Sequence, residues 1–81
     1  MRIDFLKSAD NEYRSLSPEL RKRTKKQLSL LATDLHHPSL HAKKYDERRD
    51  IWQGRISRDY RFYFVIEGDT YYIIGITKHP K

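Results

Sequence analysis

The clearest pattern of apolar and polar positions lies between residues 51 and 64. Two runs of aromatic and β-branched residues flank a polar triplet at positions 57–59, an arrangement typical of a β-hairpin. Residues directly opposite on paired strands share a face, so the apolar sets coincide only if the loop has an odd number of residues. We therefore predict a three-residue loop. Three cross-strand pairs follow from it: Ile56 with Tyr60, Gly54 with Phe62, and Trp52 with Phe64.

The same register places Arg55 directly opposite Arg61 on the other face of the hairpin. Like charges so placed destabilise a sheet, and an anion held between the two guanidinium groups would offset the repulsion. On this interpretation, removal of one charge, as in Arg61→Leu, leaves the melting temperature unchanged or raises it. The alternative is that the pair only keeps a solvated sheet face soluble, which is the commoner role of such residues.

Helical spacing replaces alternation in the N-terminal half of the chain. A short strand is predicted at residues 2–6, and Ser8 is expected to cap the helix that follows. The apolar positions of this first helix are Leu6, Ala9, Tyr13 and Leu16. Ser17 followed by Pro18 is a strong start signal for a second helix, which we expect to end at about residue 34 or 35. Its apolar stripe consists of Leu20, Thr24, Leu28, Leu31 and Leu35.

Further extended segments follow the helices. Residues 43–45 are a candidate edge strand, and residues 46–50 form a charged turn that leads into the hairpin. Residues 67–69 turn the chain into a last strand at 70–78. If that turn also has an odd number of residues, Tyr72, Ile74 and Ile76 lie on the face of the last strand that meets the helices. The other face then places Thr77 and His79 beside the arginine pair.

These elements predict a single domain, residues 1–81, of the α+β class. The predicted order is β-α-α-β-β-β, with two N-terminal helices packed on one face of a small, mainly antiparallel sheet. The chain has 81 residues and no cysteine, so neither disulfides nor a thiolate metal site can stabilise it. His36, His37 and His41 match no defined metal-site spacing, and we predict no metal and no cofactor.

Charge and hydropathy narrow the class of partner. No stretch approaches the roughly 18 consecutive apolar residues of a membrane span, and the N-terminus carries charges where a signal peptide needs an apolar core. We therefore predict a cytoplasmic protein with no membrane partner. Seventeen Lys and Arg against eleven Asp and Glu give a net charge of +6, which favours a nucleic acid or an acidic protein. The cations of the second helix, at positions 21–23, 25 and 26, form either such a surface or only a solvated face.

Three short motifs follow one another in the C-terminal half: Trp52-x-x-Arg55-Ile56, then Tyr60-Arg61-Phe62-Tyr63-Phe64 after a short polar turn, then Ile76-Thr77-Lys78-His79. Together with the order of elements, they resemble the RelE/ParE superfamily, the toxins of bacterial and archaeal type II toxin–antitoxin pairs. The resemblance covers nearly the whole chain. It is closer to the RelE and YoeB branch, which cuts messenger RNA on the ribosome, than to the ParE branch, which poisons DNA gyrase.

The resemblance implies an endoribonuclease that cleaves mRNA on the ribosome, in which a 2′-hydroxyl attacks the neighbouring phosphate and a 5′-hydroxyl leaves. That step needs a base, an acid and positive charge where the phosphorane forms. By position in the motifs, Arg61 stabilises the transition-state charge and Arg55 helps to hold the scissile phosphate. His79 is the implied acid or base, since histidine titrates near neutral pH.

The same resemblance implies an RNA-binding set and a protein partner. The predicted RNA-binding residues are Lys43, Lys44, Arg58, Tyr63, Lys78 and Lys81. The expected partners are a cognate acidic antitoxin, the ribosome and mRNA, while the sequence leaves the oligomeric state open.

Two departures from the family pattern leave other functions open. Pro80 follows His79 where YoeB-like toxins carry a tyrosine, so Tyr63 is the remaining candidate for stacking on a base, unless it fills the core. Arg55 is a poor general base because arginine stays protonated. The alternatives are a ParE-like inhibitor that binds gyrase without chemistry, and a catalytically decayed domain that keeps only RNA or antitoxin binding.

Overall fold

The computed structural model describes residues 1–79. That part of the chain contains, in order, β1 (Arg2–Phe5), α1 (Lys7–Arg14), α2 (Pro18–Thr33), a 3-10 turn (Pro38–Leu40), β2 (Lys43–Asp46), β3 (Ile51–Arg55), β4 (Tyr60–Glu67) and β5 (Thr70–Lys78). The predicted α+β class is confirmed. The candidate edge segment forms strand β2, so four strands follow the helices within the described residues.

The strands form one sheet in the order β1-β5-β4-β3-β2. β1 runs parallel to β5, and the other neighbouring strands are antiparallel. The predicted mainly antiparallel sheet is therefore confirmed. β1 and β2 are its edges, and the hairpin formed by β3 and β4 is hydrogen-bonded on both sides.

The β3–β4 hairpin has the predicted register, with the cross-strand pairs Trp52–Phe64, Gly54–Phe62 and Arg55–Arg61. The ring of Phe62 lies over Gly54 so closely that a Cβ added to the glycine would lie 2.3 Å from it. Phe62 is fully buried, so its ring has no room to move away. This contact ties the register to the core, because a slip of one residue would turn every side chain of the strand to the other face.

The pairing of β4 with β5 contains a bulge that the sequence analysis did not predict. Tyr63 pairs with Gly75, but the next residue, Phe64, pairs with Ile73. Ile74 is therefore the extra residue of the bulge. The shift reverses which face the side chains of β5 point to in the part of the strand that precedes the bulge, residues 70–73.

Burial along β5 follows this bulge. The prediction that Tyr72 and Ile74 face the helices is wrong, because both are only half-buried and Ile73 is fully buried instead. Ile76, on the other side of the bulge, is buried as predicted.

Helix α2 begins at the predicted signal and packs through the predicted stripe. The side chain of Ser17 accepts a hydrogen bond from the N–H of Leu20 at 3.2 Å, which satisfies one of the free donors of the first turn. No helix within residues 1–79 is long and apolar enough to cross a membrane. The buried core that the helices form with the sheet consists of Ala9, Leu16, Leu28, Leu31, Leu40, Ile56, Phe62, Phe64, Tyr71, Ile73 and Ile76.

Helix α1 differs from the prediction at its N-terminus. It begins at Lys7 without a side-chain cap, and the hydroxyl of Ser8 donates instead to the carbonyl of Ile74 at 3.4 Å. Leu6, which was expected on the apolar side, is 46% exposed. Ser8 therefore joins α1 to β5 and does not cap its own helix.

Gly54→Ala is expected to destabilise the protein, because the new methyl group would overlap the buried ring of Phe62. Overpacking of this kind costs about 1–3 kcal/mol, or roughly 5–20 °C in melting temperature for a domain of this size. Thermal unfolding followed by circular dichroism measures the change. The matched control is Gly75→Ala, where the nearest atom to the added Cβ would lie 3.7 Å away. Equal melting temperatures for the two variants would contradict the role given to the Phe62 contact.

Candidate active site

The sheet face opposite the helices is open, and cross-strand neighbours form two rows on it. In one row, Gln53 of β3 lies between Lys43 of β2 and Tyr63 of β4. The next row consists of Arg55, Arg61 and Thr77. Because cross-strand partners share a face, the register brings the two predicted catalytic arginines together on a surface that neither α1 nor α2 covers.

Helix α2 holds the end of β3 from behind. The buried amide of Gln27 donates to the carbonyl oxygens of Arg55 at 2.8 Å and Ser39 at 3.0 Å. Nε of Arg23 lies 3.4 Å from the carbonyl oxygen of Ile56. The bonds satisfy an amide that would be costly to bury alone, and they fix the backbone that carries the Arg55 side chain. The apolar periodicity of α2 does not indicate this role, because Gln27 lies outside the stripe.

The side chain of Arg61 is anchored to the loop between β3 and β4. Its Nη1 donates to the carbonyl oxygens of Ser57 at 2.6 Å and Tyr60 at 3.0 Å, and it lies 3.3 Å from that of Arg58. Within residues 1–79 these hydrogen bonds use Nη1 alone, and a guanidinium has five N–H donors. The group is therefore held in place while Nε and Nη2 remain able to bind an anion.

Arg55 points toward a histidine that the sequence analysis considered only as a metal ligand. Nη1 of Arg55 lies 3.4 Å from Nε2 of His41. Arginine has no acceptor, so this contact is a hydrogen bond when Nε2 of His41 carries no proton. The backbone of His41 is left-handed, with φ 46°, which is uncommon for residues other than glycine. No sequence signal marks His41, because its place in the site depends on this turn.

The cleft between these groups carries positive charge that no carboxylate of residues 1–79 neutralises. It has a volume of about 360 Å³ and is lined by His41, Ala42, Lys43, Gln53, Arg55 and Arg61. The ion pairs within the described part of the chain use other cations, namely Arg2, Arg14, Lys44 and Arg49. Three unpaired cations in one recess attract an anion. We call this recess the basic cleft.

His79 follows β5 on the same open face. Its backbone N–H donates to the carbonyl of Asp59 at 2.5 Å, which joins the end of β5 to the β3–β4 loop. The exposed side chain lines a groove of about 450 Å³ together with Gln53 and Tyr63. The groove and the basic cleft meet at Gln53, so His79 and His41 line adjoining recesses.

Lys43 and Lys44 lie on opposite faces of β2, and the structure does not bring them together. Lys43 is exposed beside Gln53 on the open face. Lys44 lies opposite Trp52 on the other face, with its Nζ 2.5 Å from Oδ1 of Asp50 and 5.4 Å from the centre of the Trp52 ring. The hydrogen bond to Asp50 raises the pKa of Lys44 above its ordinary value. This ammonium group is therefore already engaged.

The other predicted RNA-binding residues are spread around the molecule. Tyr63 lies on the open face. Arg58 is exposed in the hairpin loop and lines a second polar cleft of about 370 Å³ with cations of α2, and this cleft adjoins the basic cleft at His41 and Arg55. Lys78 lies opposite Tyr60 and lines a groove against α1, so it does not join the basic cleft. Lys81 lies outside the described residues.

Solved toxin structures share this fold. A YoeB/ParE toxin from Agrobacterium tumefaciens has a TM-score of 0.82 at 13% identity, with 99% of this chain and 100% of that chain covered. The archaeal RelE–RelB complex from Pyrococcus horikoshii OT3 contains a chain with a TM-score of 0.82 at 15% identity and coverages of 99% and 96%. The isolated E. coli RelE toxin has a TM-score of 0.78 at 20% identity, with 99% of this chain and 85% of that chain covered.

No protein-family model and no curated protein matches the sequence. At the identities of these solved structures, their likeness to the chain is a likeness of fold. The resemblance to the RelE/ParE superfamily is confirmed at that level: the chain has the RelE-like fold.

Arg61→Leu is expected to lower the melting temperature, which reverses the expectation from sequence alone. The substitution removes the hydrogen bonds to the loop carbonyls, a loss of about 1–2 kcal/mol or roughly 4–15 °C. Thermal unfolding at low and high salt measures it.

The matched control is Arg55→Leu, which relieves the same cross-strand repulsion but breaks no hydrogen bond to the loop. We expect this variant to melt at or above the wild-type temperature at low salt. If Arg61→Leu has as high a melting temperature as Arg55→Leu, the hydrogen bonds of Arg61 to the loop do not stabilise the protein.

Proposed function

We propose that this protein is the toxin of a type II toxin–antitoxin pair and that it cleaves mRNA bound to the ribosome. The basic cleft is the observation that carries the proposal. It holds Arg55, Arg61 and Lys43 without a carboxylate partner among residues 1–79, on an open sheet face and beside two histidines. An RNA phosphate is the anion that this combination of charge and acid–base groups fits best.

In the proposed reaction, the 2′-oxygen of one nucleotide forms a bond to the adjacent phosphorus, and the bond from phosphorus to the 5′-oxygen breaks. A base removes the 2′-hydroxyl proton, and an acid supplies a proton to the leaving 5′-oxygen. His79 keeps its predicted role as acid or base. The complementary role is assigned to His41, which lines the basic cleft together with both arginines. Neither arginine can be the base, since arginine stays protonated.

Arg61 and Arg55 stabilise the charge that builds up on the phosphorane. Electrostatic stabilisation is most effective when the charged group is already held in place. Arg61 meets that condition through its hydrogen bonds to the loop carbonyls. For Arg55 it is the backbone that is held, by the amide of Gln27. The site therefore needs little reorganisation when RNA binds.

Contact with the ribosome is assigned to the basic surface around the hairpin loop. Arg58 lines a cleft there with Arg23 and Lys26 of α2, and all three side chains are exposed. Such contacts bind phosphate without reading sequence. Lys43 is assigned to the mRNA backbone, because it lies within the basic cleft.

An acidic antitoxin is the proposed protein partner, and the net charge of +6 favours it. Among proteins of this fold, YoeB of Staphylococcus aureus was solved in a heterotetrameric complex with YefM, and RelE of Pyrococcus horikoshii in a complex with RelB. We expect the product of a neighbouring acidic reading frame to co-purify with this protein at low salt, with weaker retention as salt rises. Elution without that product at low salt would contradict this partner.

The nuclease activity is tested with ribosomes that carry a defined mRNA. The wild-type protein should cut the mRNA only when ribosomes are present. His79→Gln should slow cleavage by about 100-fold or more, as expected for loss of an acid–base group, while leaving ribosome binding unchanged. Gyrase-linked DNA breaks in place of mRNA cuts would refute the nuclease proposal and favour the gyrase inhibitor.

A pair of lysine variants separates phosphate binding from other effects of charge. When the logarithm of the affinity for mRNA is plotted against the logarithm of the salt concentration, Lys43→Ala should make the slope shallower by about 0.7. This is the value for one phosphate contact to a single strand. Lys44→Ala removes the same charge from the other face of β2 and should leave the slope unchanged. Equal effects of the two substitutions would contradict the assignment of Lys43 to the RNA backbone.

A further inference from the structure

Strand β5 extends beyond the strand that covers one of its edges. β1 pairs only with residues 70–73 of β5, whereas β4 pairs with β5 as far as Lys78. The chain leaves β1 at Leu6, whose N–H donates to the carbonyl of Ile73 at 3.0 Å. From Ile74 onward, one edge of β5 therefore has no neighbouring strand among residues 1–79. The backbone N–H and C=O groups along that edge need other partners.

Side chains of α1 supply such partners. The hydroxyl of Ser8 donates to the carbonyl of Ile74 at 3.4 Å, and Oε1 of Glu12 accepts a hydrogen bond from the N–H of Ile76 at 3.0 Å. Four residues of an α-helix rise by about 6 Å, and two residues of a strand rise by about 6.6 Å. Because the two spacings nearly match, side chains four residues apart on α1 reach backbone groups two residues apart on β5. Helix α1 thus covers this edge in place of a strand.

The carboxylate of Glu12 has no competing ion pair in the described part of the chain. Glu12 is half-buried, and it lines the groove against α1 together with Lys78. The ion pairs among residues 1–79 nevertheless use other carboxylates, namely Asp4, Asp10, Asp46, Glu47 and Asp50. A hydrogen bond to an ionised acceptor is roughly twice as strong as one between neutral groups. In this part of the chain, the charged acceptor of Glu12 is therefore engaged with the backbone of β5.

The segment that Glu12 holds carries two groups of the candidate active site. Thr77 lies in the row that contains the two arginines. His79 lines the groove that adjoins the basic cleft, and its backbone N–H donates to the carbonyl of Asp59 at 2.5 Å. Residues 76–79 are therefore held at one end by α1 and at the other end by the β3–β4 loop.

We propose that Glu12 is a positioning residue for His79. Its carboxylate fixes the backbone at Ile76, and this contact sets the place from which the imidazole of His79 reaches the basic cleft. The inference rests on the function proposed above, in which His79 is the acid or base. Glu12 itself lies outside the basic cleft and outside the groove of His79. It therefore acts through β5 and not on the RNA.

The inference is tested by the rate of cleavage at varied concentrations of ribosomes that carry a defined mRNA. Glu12→Ala removes the acceptor for the N–H of Ile76. It should lower kcat by about 100-fold, which is the cost of a small misplacement of a reacting group. KM should stay unchanged, because no contact with RNA is lost. A wild-type kcat, or a loss confined to KM, would overturn the inference.

Two further variants show whether the hydrogen bond is responsible. Glu12→Gln keeps an oxygen acceptor at the same place and should restore most of the lost kcat. Asn11→Ala changes the adjacent residue of α1, which lines the same groove but has no side-chain hydrogen bond within residues 1–79. This control should keep the wild-type kcat. A Glu12→Gln variant as slow as Glu12→Ala would overturn the inference.

A double-mutant cycle with His79→Gln distinguishes positioning from a general loss of stability. If Glu12 acts through His79, Glu12→Ala should slow the wild type but should slow the His79→Gln variant no further, because groups that act as a unit have non-additive effects. A general loss of stability would slow both proteins by the same factor. Equal slowing in the two backgrounds would therefore overturn the inference.

NMR with inorganic phosphate as the probe tests the contact without any cleavage. In the wild type, the amide of Ile76 should be protected from hydrogen exchange, and phosphate should shift the imidazole signals of His79. In Glu12→Ala both effects should be lost, while the amide of Phe62 stays protected and phosphate still shifts the amide of Arg61. A response of His79 in Glu12→Ala equal to that in the wild type would overturn the inference.

The two kinds of measurement separate this inference from the proposed function. If the wild type cuts mRNA and Glu12→Ala cuts it equally fast, the inference fails and the function stands. If the wild type cuts no mRNA, the nuclease function fails. In that case the positioning role stands if the response of His79 to phosphate depends on Glu12, and it falls if that response does not.

Discussion

The structure depends on one contact, that of the Phe62 ring with the backbone of Gly54. The ring occupies the space that a side chain would need, since an added Cβ would lie 2.3 Å from it, and it is fully buried. Side chains alternate along a strand, so a slip of one residue would expose this ring. The register that buries Phe62 also places Arg55 opposite Arg61. The register that forms the core therefore also pairs the two arginines of the basic cleft.

This constraint would be costly if the two guanidinium groups faced each other. Each has its own partner instead: Arg61 donates to loop carbonyls, and Arg55 lies beside His41. The free protein therefore tolerates the pair without an anion, contrary to the argument from sequence. A different observation favours an anion. The chain has eleven acidic residues, yet within residues 1–79 none pairs with Arg55, Arg61 or Lys43. Within the described part of the chain, the cations that pair with carboxylates are ones that do not line the cleft.

Sequence pattern was sufficient where the deciding contacts are local or periodic. Spacings of two to four residues were enough to predict the cap at Ser17 and the apolar stripe of α2. The alternation of apolar residues in two neighbouring strands was enough to predict the register of the hairpin. The facing of β5 was not predictable, because apolar residues on both faces conceal the bulge. Lys44 and His41 were misjudged for a related reason. Their partners, Asp50 and Arg55, lie six and fourteen residues away, across turns whose conformation the sequence does not specify.

The two glutamines show why a site has to be argued from partners and not from residue type. Gln27 and Gln53 are buried to nearly the same extent, and neither belongs to an apolar pattern. Gln27 donates to two backbone carbonyls behind the sheet and holds Arg55 in place. Gln53 lies on the open face, where the aromatic groove meets the basic cleft. Buried polar groups in folded proteins are nearly always paired. No fully buried side-chain nitrogen or oxygen of residues 1–79 lacks a partner, so the amide of Gln53, which has no protein partner there, lies at the surface of the two recesses and can exchange hydrogen bonds with solvent or with a ligand.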